Sequence, residues 1–166
     1  MIQLELVAVR VELPSNTPVV VLKELEGLQR TLSIFIGGPE AAAIAFAMEG
    51  VETPRPMTHD LLIDVASELG FVLSCIEITE LRDTTYYADL YLSGQLGEYH
   101  VSARPSDALA LAVRVRCPIY CSEAVLDEAG FIEDELVDPP DPEQSEAIVD
   151  EFRNFIEHVS PEDFES

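Results

Sequence analysis

The chain has 166 residues, 48% of them hydrophobic, and sets 32 acids against nine bases for a net charge of −23. That length allows a single core that buries most of its apolar surface without disulfide or metal staples, and no run of 18 apolar residues provides a membrane span. The three cysteines, Cys75, Cys117 and Cys121, are an odd number that does not suggest a disulfide framework; they read as buried, inert thiols. The opening MIQLELVAVRVEL alternates as a strand does over residues 2–13. It lacks the basic region and small-residue cleavage site of a signal peptide, so a cytoplasmic location is expected. Pro14, Ser15 and Asn16 signal a turn, and residues 19–25 and 28–36 read as two further strands.

After Gly37-Gly38 the pattern changes. Residues 39–49 predict a helix of strong helix formers, with Pro39 at its first position and Gly50 just past its end. The segment VETPRP, 51–56, must be extended, because each proline fixes its own φ and restricts its predecessor. A second helix is expected over 58–69, with Leu61, Leu62, Val65 and Leu69 as its apolar stripe and Asp60, Asp64 and Glu68 as its wet face. Residues 71–81 and 85–92 predict two strands, and 99–103 another. A third helix opens at Pro105, 118–121 is a short strand, and 123–129 is a short helix closed by Gly130. The sum is an α/β (α+β) single domain, a mixed or antiparallel sheet with helices crossing it.

From Glu133 the composition shifts. Thirteen acids and one base lie in 133–166, a net of −12. The stretch EDELVDPPDPEQ reads as a solvated linker. Ile148, Phe152, Phe155, Ile156 and Val159 predict an amphipathic helix over 143–158. The division is therefore a folded domain over 1–132 and an acidic linker with one helix over 133–166. With Lys23 the single lysine, the acid-rich balance matches proteins of salt-accumulating halophiles. In dilute buffer such self-repulsion destabilises the compact state, and salt screens it.

Three predicted helices begin alike: Pro39-Glu40, Thr58-His59-Asp60 and Pro105-Ser106-Asp107, the last preceded by Arg104. Each carries an acid in its first turn, where the helix dipole favours negative charge, and Thr58 and Ser106 read as side-chain caps. Arg55 and Arg104 sit on the wrong side of that dipole and need a carboxylate or an anion. Two readings stay open. In one, Arg55 pairs with Asp107 and Arg104 with Asp60, and the pairs only lock helix starts together. In the other, arginines and helix N-termini hold a phosphate, acids hold a metal and His59 moves a proton. Walker, GxGxxG, CxxC-pair and HExxH motifs are absent from the sequence.

The blocks IFIGGPEAAAIAFAMEG (34–50), PRPMTHDLL (54–62), DTTYYADL (83–90), ARPSDALALAVR (103–114) and PIYCSEAVLDEAG (118–130) together resemble the bifunctional nuclease family. The resemblance covers about residues 1–132 and implies a nuclease acting on DNA and RNA, with nucleic acid as its partner. Carried onto this sequence, it makes Glu40, His59, Asp60 and Asp107 candidate catalytic residues, and Arg55, Thr58, Arg104 and Ser106 candidate substrate-binding residues. Glu40, Asp60 and Asp107 would be the ligands of a divalent cation, Mg²⁺ or Mn²⁺. A homodimer is expected. The alternative is a non-catalytic structural or regulatory module whose motif residues pair to stabilise the fold or a dimer. The charge departs from what a nucleic-acid protein favours, so binding must come from close, desolvated contacts.

Overall fold

The period-two alternation at the start of the chain becomes strand β1 (Ile2–Glu12), which pairs antiparallel with β2 (Thr17–Glu24); β2 in turn pairs antiparallel with β3 (Thr31–Phe35). These elements come from a computed structural model, which describes residues 1–95 and 97–132. Residue 28–30 of the expected third strand is loop instead, because Gln29 takes φ +58 and Arg30 turns its side chain onto Glu24. Helices α1 (Gly38–Met48) and α2 (Thr58–Glu68) follow, separated by the proline-rich segment. Strands β4 (Phe71–Arg82), β5 (Thr85–Gly94) and β6 (Gly97–Ala103) form an antiparallel meander. Its first turn places Asp83 and Thr84 at φ +47 and +67, the two positive values that a tight hairpin demands.

Helix α3 (Pro105–Val115) then crosses the sheet, β7 (Ile119–Cys121) inserts, and α4 (Glu123–Ala129) closes the described part. The seven strands run β3-β2-β1-β7-β4-β5-β6. All neighbours are antiparallel except β7 and β4, which are parallel. So the three-residue β7 welds the N-terminal hairpin layer to the meander, and the sheet is mixed, as expected for an α+β domain. The linker and helix expected over 133–166 lie outside the described residues.

The core is aliphatic. Val20, Leu22, Leu32, Ile34, Ile76, Ile78 and Ala88 from the sheet meet Ala41 and Ile44 of α1 and Ala108, Leu109, Ala110 and Ala112 of α3. Alanines let α3 lie close on β4, β5 and α1. That close approach brings the N-termini of α1 and α3 together.

Helix α2 departs from its expected orientation. None of its residues is buried, and Leu61, Leu62, Val65 and Leu69 are about half exposed or more. The partly buried positions are His59, Asp60, Ile63 and Ala66, themselves at helical spacing. The helix therefore turns His59 and Asp60 inward beside Ile63 and Ala66, and leaves Leu61, Leu62, Val65 and Leu69 outward together with the acids Asp64 and Glu68. Asp64 and Glu68 are exposed as expected, but the four apolar residues are not the buried stripe and Asp60 turns inward, because ion pairs to α3 fix the rotation.

Candidate functional site

Arg104 occupies the N-cap position of α3, with Pro105 at the first helical position. Its extended backbone (φ −71, ψ 143) sends the side chain back across the helix start. There Nε donates to Asp107 Oδ2 at 2.7 Å, and Nη2 donates to Asp107 Oδ1 at 3.0 Å and to Glu40 Oε1 at 2.8 Å. Nη1 has no partner among the described residues. The pairing with Asp107 is the bidentate fork that guanidinium geometry favours. The Arg104 side chain is 65% exposed, while those of Asp107 and Glu40 are 30% and 16% exposed.

Glu40 reaches this position because of Gly37. The carboxylate folds back over the N-terminus of α1, and a Cβ at residue 37 would collide with Glu40 Oε2. Its own backbone N–H and then Arg104 hold the Glu40 carboxyl below the usual carboxylate range. Pro39 falls at the second helical position, one later than expected, since Gly37 is the N-cap.

His59 completes the group from the third helix. Its Nε2 lies 3.2 Å from Asp107 Oδ1. A carboxylate only accepts, so Nε2 carries the proton and, in a neutral ring, Nδ1 carries the lone pair. Burial pushes the Asp107 carboxyl up, but hydrogen bonds from Arg104 and His59 outweigh it and keep it ionised to lower pH than an ordinary aspartate.

A second arginine does the inward work. Arg114, nearly three turns further along α3, donates from Nε to Asp60 Oδ1 at 2.5 Å and from Nη1 to the carbonyls of Ala110 and Ala43. Its side chain is only 10% exposed. Arg114 thus ties α1, α2 and α3 together below the surface, while Arg104 joins α1 and α3 at the surface and α2 reaches that group through His59 on Asp107. Asp60 also accepts from the Met57 N–H at 2.9 Å, which anchors the start of α2.

Several expectations need correction. The proposed Arg55–Asp107 and Arg104–Asp60 pairs do not form: Asp107 and Glu40 share Arg104, and Asp60 takes Arg114. Arg55 is exposed, and its side chain makes no hydrogen bond or ion pair among the described residues; only its carbonyl is engaged, by Thr53 Oγ1 at 2.7 Å. Thr58 and Ser106 are not caps. Met57 and Arg104 hold those positions, neither with a side-chain oxygen. A divalent cation on Glu40, Asp60 and Asp107 does not fit, because the three carboxylates are divided between two arginines nearly three helical turns apart. Among the described residues no three His, Cys, Asp or Glu side chains converge as a ligand set.

Ser106 instead is 7% exposed at the floor of a cavity of about 380 Å³, and its hydroxyl has no partner among the described residues. Arg104, Gly37, Phe35, Thr84, Thr85 and Tyr86 are among the other residues of that cavity wall. Phe35, 61% exposed, and Thr84 and Thr85 at the turn into β5 are site features that sequence reading missed. Their one sequence signal was the aromatic-flanked block around them.

Comparison with known proteins adds to this geometry. A family model described as the bifunctional nuclease domain matches residues 20–134. An uncharacterized protein of Mycobacterium tuberculosis strain H37Rv is 45% identical over 168 residues, covering 99% of this chain and 98% of the relative. Bifunctional nuclease 1 of Oryza sativa subsp. japonica is 26% identical over 137 residues, 81% of this chain. Bifunctional nuclease 2 of Arabidopsis thaliana is 30% identical over 117 residues, 67% of this chain. This chain spans 40% and 35% of those two plant proteins.

Proposed function

We propose, from the premise that this chain belongs to the bifunctional nuclease domain family, that it hydrolyses phosphodiester bonds of DNA and RNA at the Arg104–Asp107–His59 group. The observation that carries this reading is the exposed guanidinium of Arg104, fixed in orientation by two carboxylates with Nη1 unpartnered among the described residues, beside a histidine oriented by one of them. In this scheme Arg104 Nη1 and the Ser106 hydroxyl bind the phosphate in the adjoining cavity. His59 Nδ1 takes a proton from the attacking water, the water oxygen bonds to phosphorus, and the bond from phosphorus to the leaving oxygen breaks. Asp107 stabilises the imidazolium, which then returns the proton to the leaving oxygen. Glu40 holds Arg104 and takes no part in proton transfer.

A second reading has a specific observation behind it. Glu40, Asp107 and Asp60 are all paired to arginines, which suits a structural clip joining three helices. The two readings separate on one assay: cleavage of single-stranded DNA and RNA in about 2 M KCl, where screening supports the acidic fold, in chelator and with Mg²⁺ or Mn²⁺. Cleavage in chelator that His59→Gln abolishes while folding persists supports the scheme. Cleavage only with metal would move Glu40 and Asp107 to a ligand role with Arg104 displaced. Equal trace cleavage by both proteins favours the clip.

A further inference from the structure

The cavity beside Arg104 offers more than a phosphate needs. Three elements meet in its wall: the start of α3 with Arg104 and Ser106, the end of the edge strand β3 with Phe35, and the turn into β5 with Thr84 and Thr85. Ser106 is almost wholly buried, yet its hydroxyl lines the cavity and finds no partner among the described residues. Phe35 is mostly exposed, and its ring forms none of the aromatic or cation–π pairs among the described residues. Tyr86, by contrast, packs against the core. Thr84 holds φ +67, a value that glycine takes without strain at this place in a tight hairpin. The threonine keeps a hydroxyl on the cavity wall instead.

We infer that Phe35 is a base-stacking residue, and that the cavity takes the one unpaired nucleotide whose phosphate Arg104 and Ser106 hold. The assignment depends on the proposed nuclease reading only at its phosphate end. Three features of the wall select this occupant. It presents a guanidinium, then hydroxyls, then a flat apolar ring, which match the phosphate, sugar and base of a nucleotide. Its volume of about 380 Å³ is near the lower end of the roughly 300–1,000 Å³ of small-ligand sites, room for one nucleotide and not for a base pair between its neighbours. A base in a duplex must leave the stack to reach Phe35. Finally, a chain carrying −23 repels phosphates in dilute buffer, and high salt removes the counterion-release gain. Stacking on an aromatic ring needs neither, and it favours no one base because each has a π-face. The threonine hydroxyls both donate and accept, so they impose no choice of base either.

The test pairs equilibrium binding with steady-state cleavage, both on the full chain in about 2 M KCl. The binding probe is a single-stranded oligonucleotide carrying the fluorescent base aminopurine, free or annealed into a duplex, titrated with protein that also carries His59→Gln to halt turnover. Phe35→Ala, Phe35→Leu and Phe35→Tyr are compared with phenylalanine at that position. Alanine and leucine are expected to raise the single-strand Kd by roughly ten- to hundredfold and to abolish the quenching of aminopurine. With native His59 they raise KM by a similar factor and leave kcat nearly unchanged. Tyrosine restores binding, while leucine, which keeps apolar bulk without a π-face, does not. The duplex is expected to bind at least about tenfold more weakly and to be insensitive to residue 35. Circular dichroism checks that each variant is folded. Cleavage with unaltered Kd and KM in folded Phe35→Ala, or a duplex bound as tightly as the single strand, overturns the subsite and leaves the nuclease reading standing. Phe35-dependent binding without cleavage by the protein with native His59 supports the subsite and overturns the nuclease reading. A wild-type chain that neither binds nor cleaves the strand overturns both.

Discussion

His59 Nε2 and Asp107 Oδ1 lie 3.2 Å apart although 48 residues separate them in the chain. The contact joins the first turns of α2 and α3 and gives the histidine one defined tautomer. Asp107→Asn keeps the shape and one accepting oxygen but removes the charge and puts an amide N–H₂ donor where the second oxygen accepted. It is expected to lower cleavage about 10²-fold while the protein stays folded, and His59→Gln to lower it about 10²–10⁴-fold. Single-turnover rates with the circular dichroism of each variant check this.

Arg104 and Arg114 make opposite predictions. Arg104→Gln removes an exposed partner, so stability is expected to fall by no more than about 1 kcal/mol while cleavage is lost. Arg114→Gln leaves Asp60 and two carbonyls short of donors below the surface, and is expected to cost about 2–4 kcal/mol. Urea unfolding of both variants beside the cleavage assay separates site from scaffold.

Gly37→Ala tests how Glu40 is held. The added methyl would occupy the place of Glu40 Oε2, and the side chain can swing away at little cost to the fold. Arg104 then loses one of its two carboxylates. The expected result is a stability change within about 1 kcal/mol and a cleavage defect like that of Glu40→Gln, with no further loss when the two are combined.

The acid side of the stability profile follows from Glu24, Glu40, Asp60 and Asp107. Hydrogen bonds hold all four carboxyls below their ordinary values, from Arg30 for Glu24, from its own N–H and Arg104 for Glu40, and against opposing burial for Asp60 and Asp107. A depressed folded-state pKa gives stability that is present above the unfolded value, near 4, and is lost as pH falls through the folded one. Unfolding free energy in about 1 M salt, which screens the general repulsion, is therefore expected to drop steadily below about pH 4.5. Glu24 is buried against Arg30 with an Nη2–Oε1 distance of 2.8 Å. Glu24→Gln is expected to cost about 3 kcal/mol at pH 7 and to flatten that acid limb.

Thr31 offers a stabilising change. Its side-chain oxygen is buried with no hydrogen-bond partner among the described residues, a cost of about 1–3 kcal/mol. Thr31→Val keeps the shape and removes the orphan, so the thermal midpoint is expected to rise.

Much of the fold was legible because local pattern specifies it. Alternation in residues 2–13, the Gly and Pro stops around α1 and α3, and the hairpin turn at Asp83-Thr84 each act within a few residues. The site was legible in part. Glu40, His59, Asp107 and Arg104 could be named because acids and prolines mark helix starts. Arg114 could not be placed there, since a basic residue near the end of a helix already satisfies the dipole and asks for no partner. Ser106 and Thr58 misled for a related reason: a hydroxyl at a helix start reads as a cap, but extended Met57 and Arg104 had taken that position.

The sequence by itself determined which segments are helix or strand, which helix starts carry charge, and membership of the family, because these reside in short-range periodicity and in motif blocks. Only the tertiary structure decided which carboxylate meets which arginine and which face of α2 looks inward. Those choices join residues 48 to 64 positions apart. They depend on how closely the alanines of α3 let the helices approach, and hydrophobic spacing alone assigned Leu61, Leu62, Val65 and Leu69 to the buried side of α2, where its ion pairs place His59 and Asp60 instead.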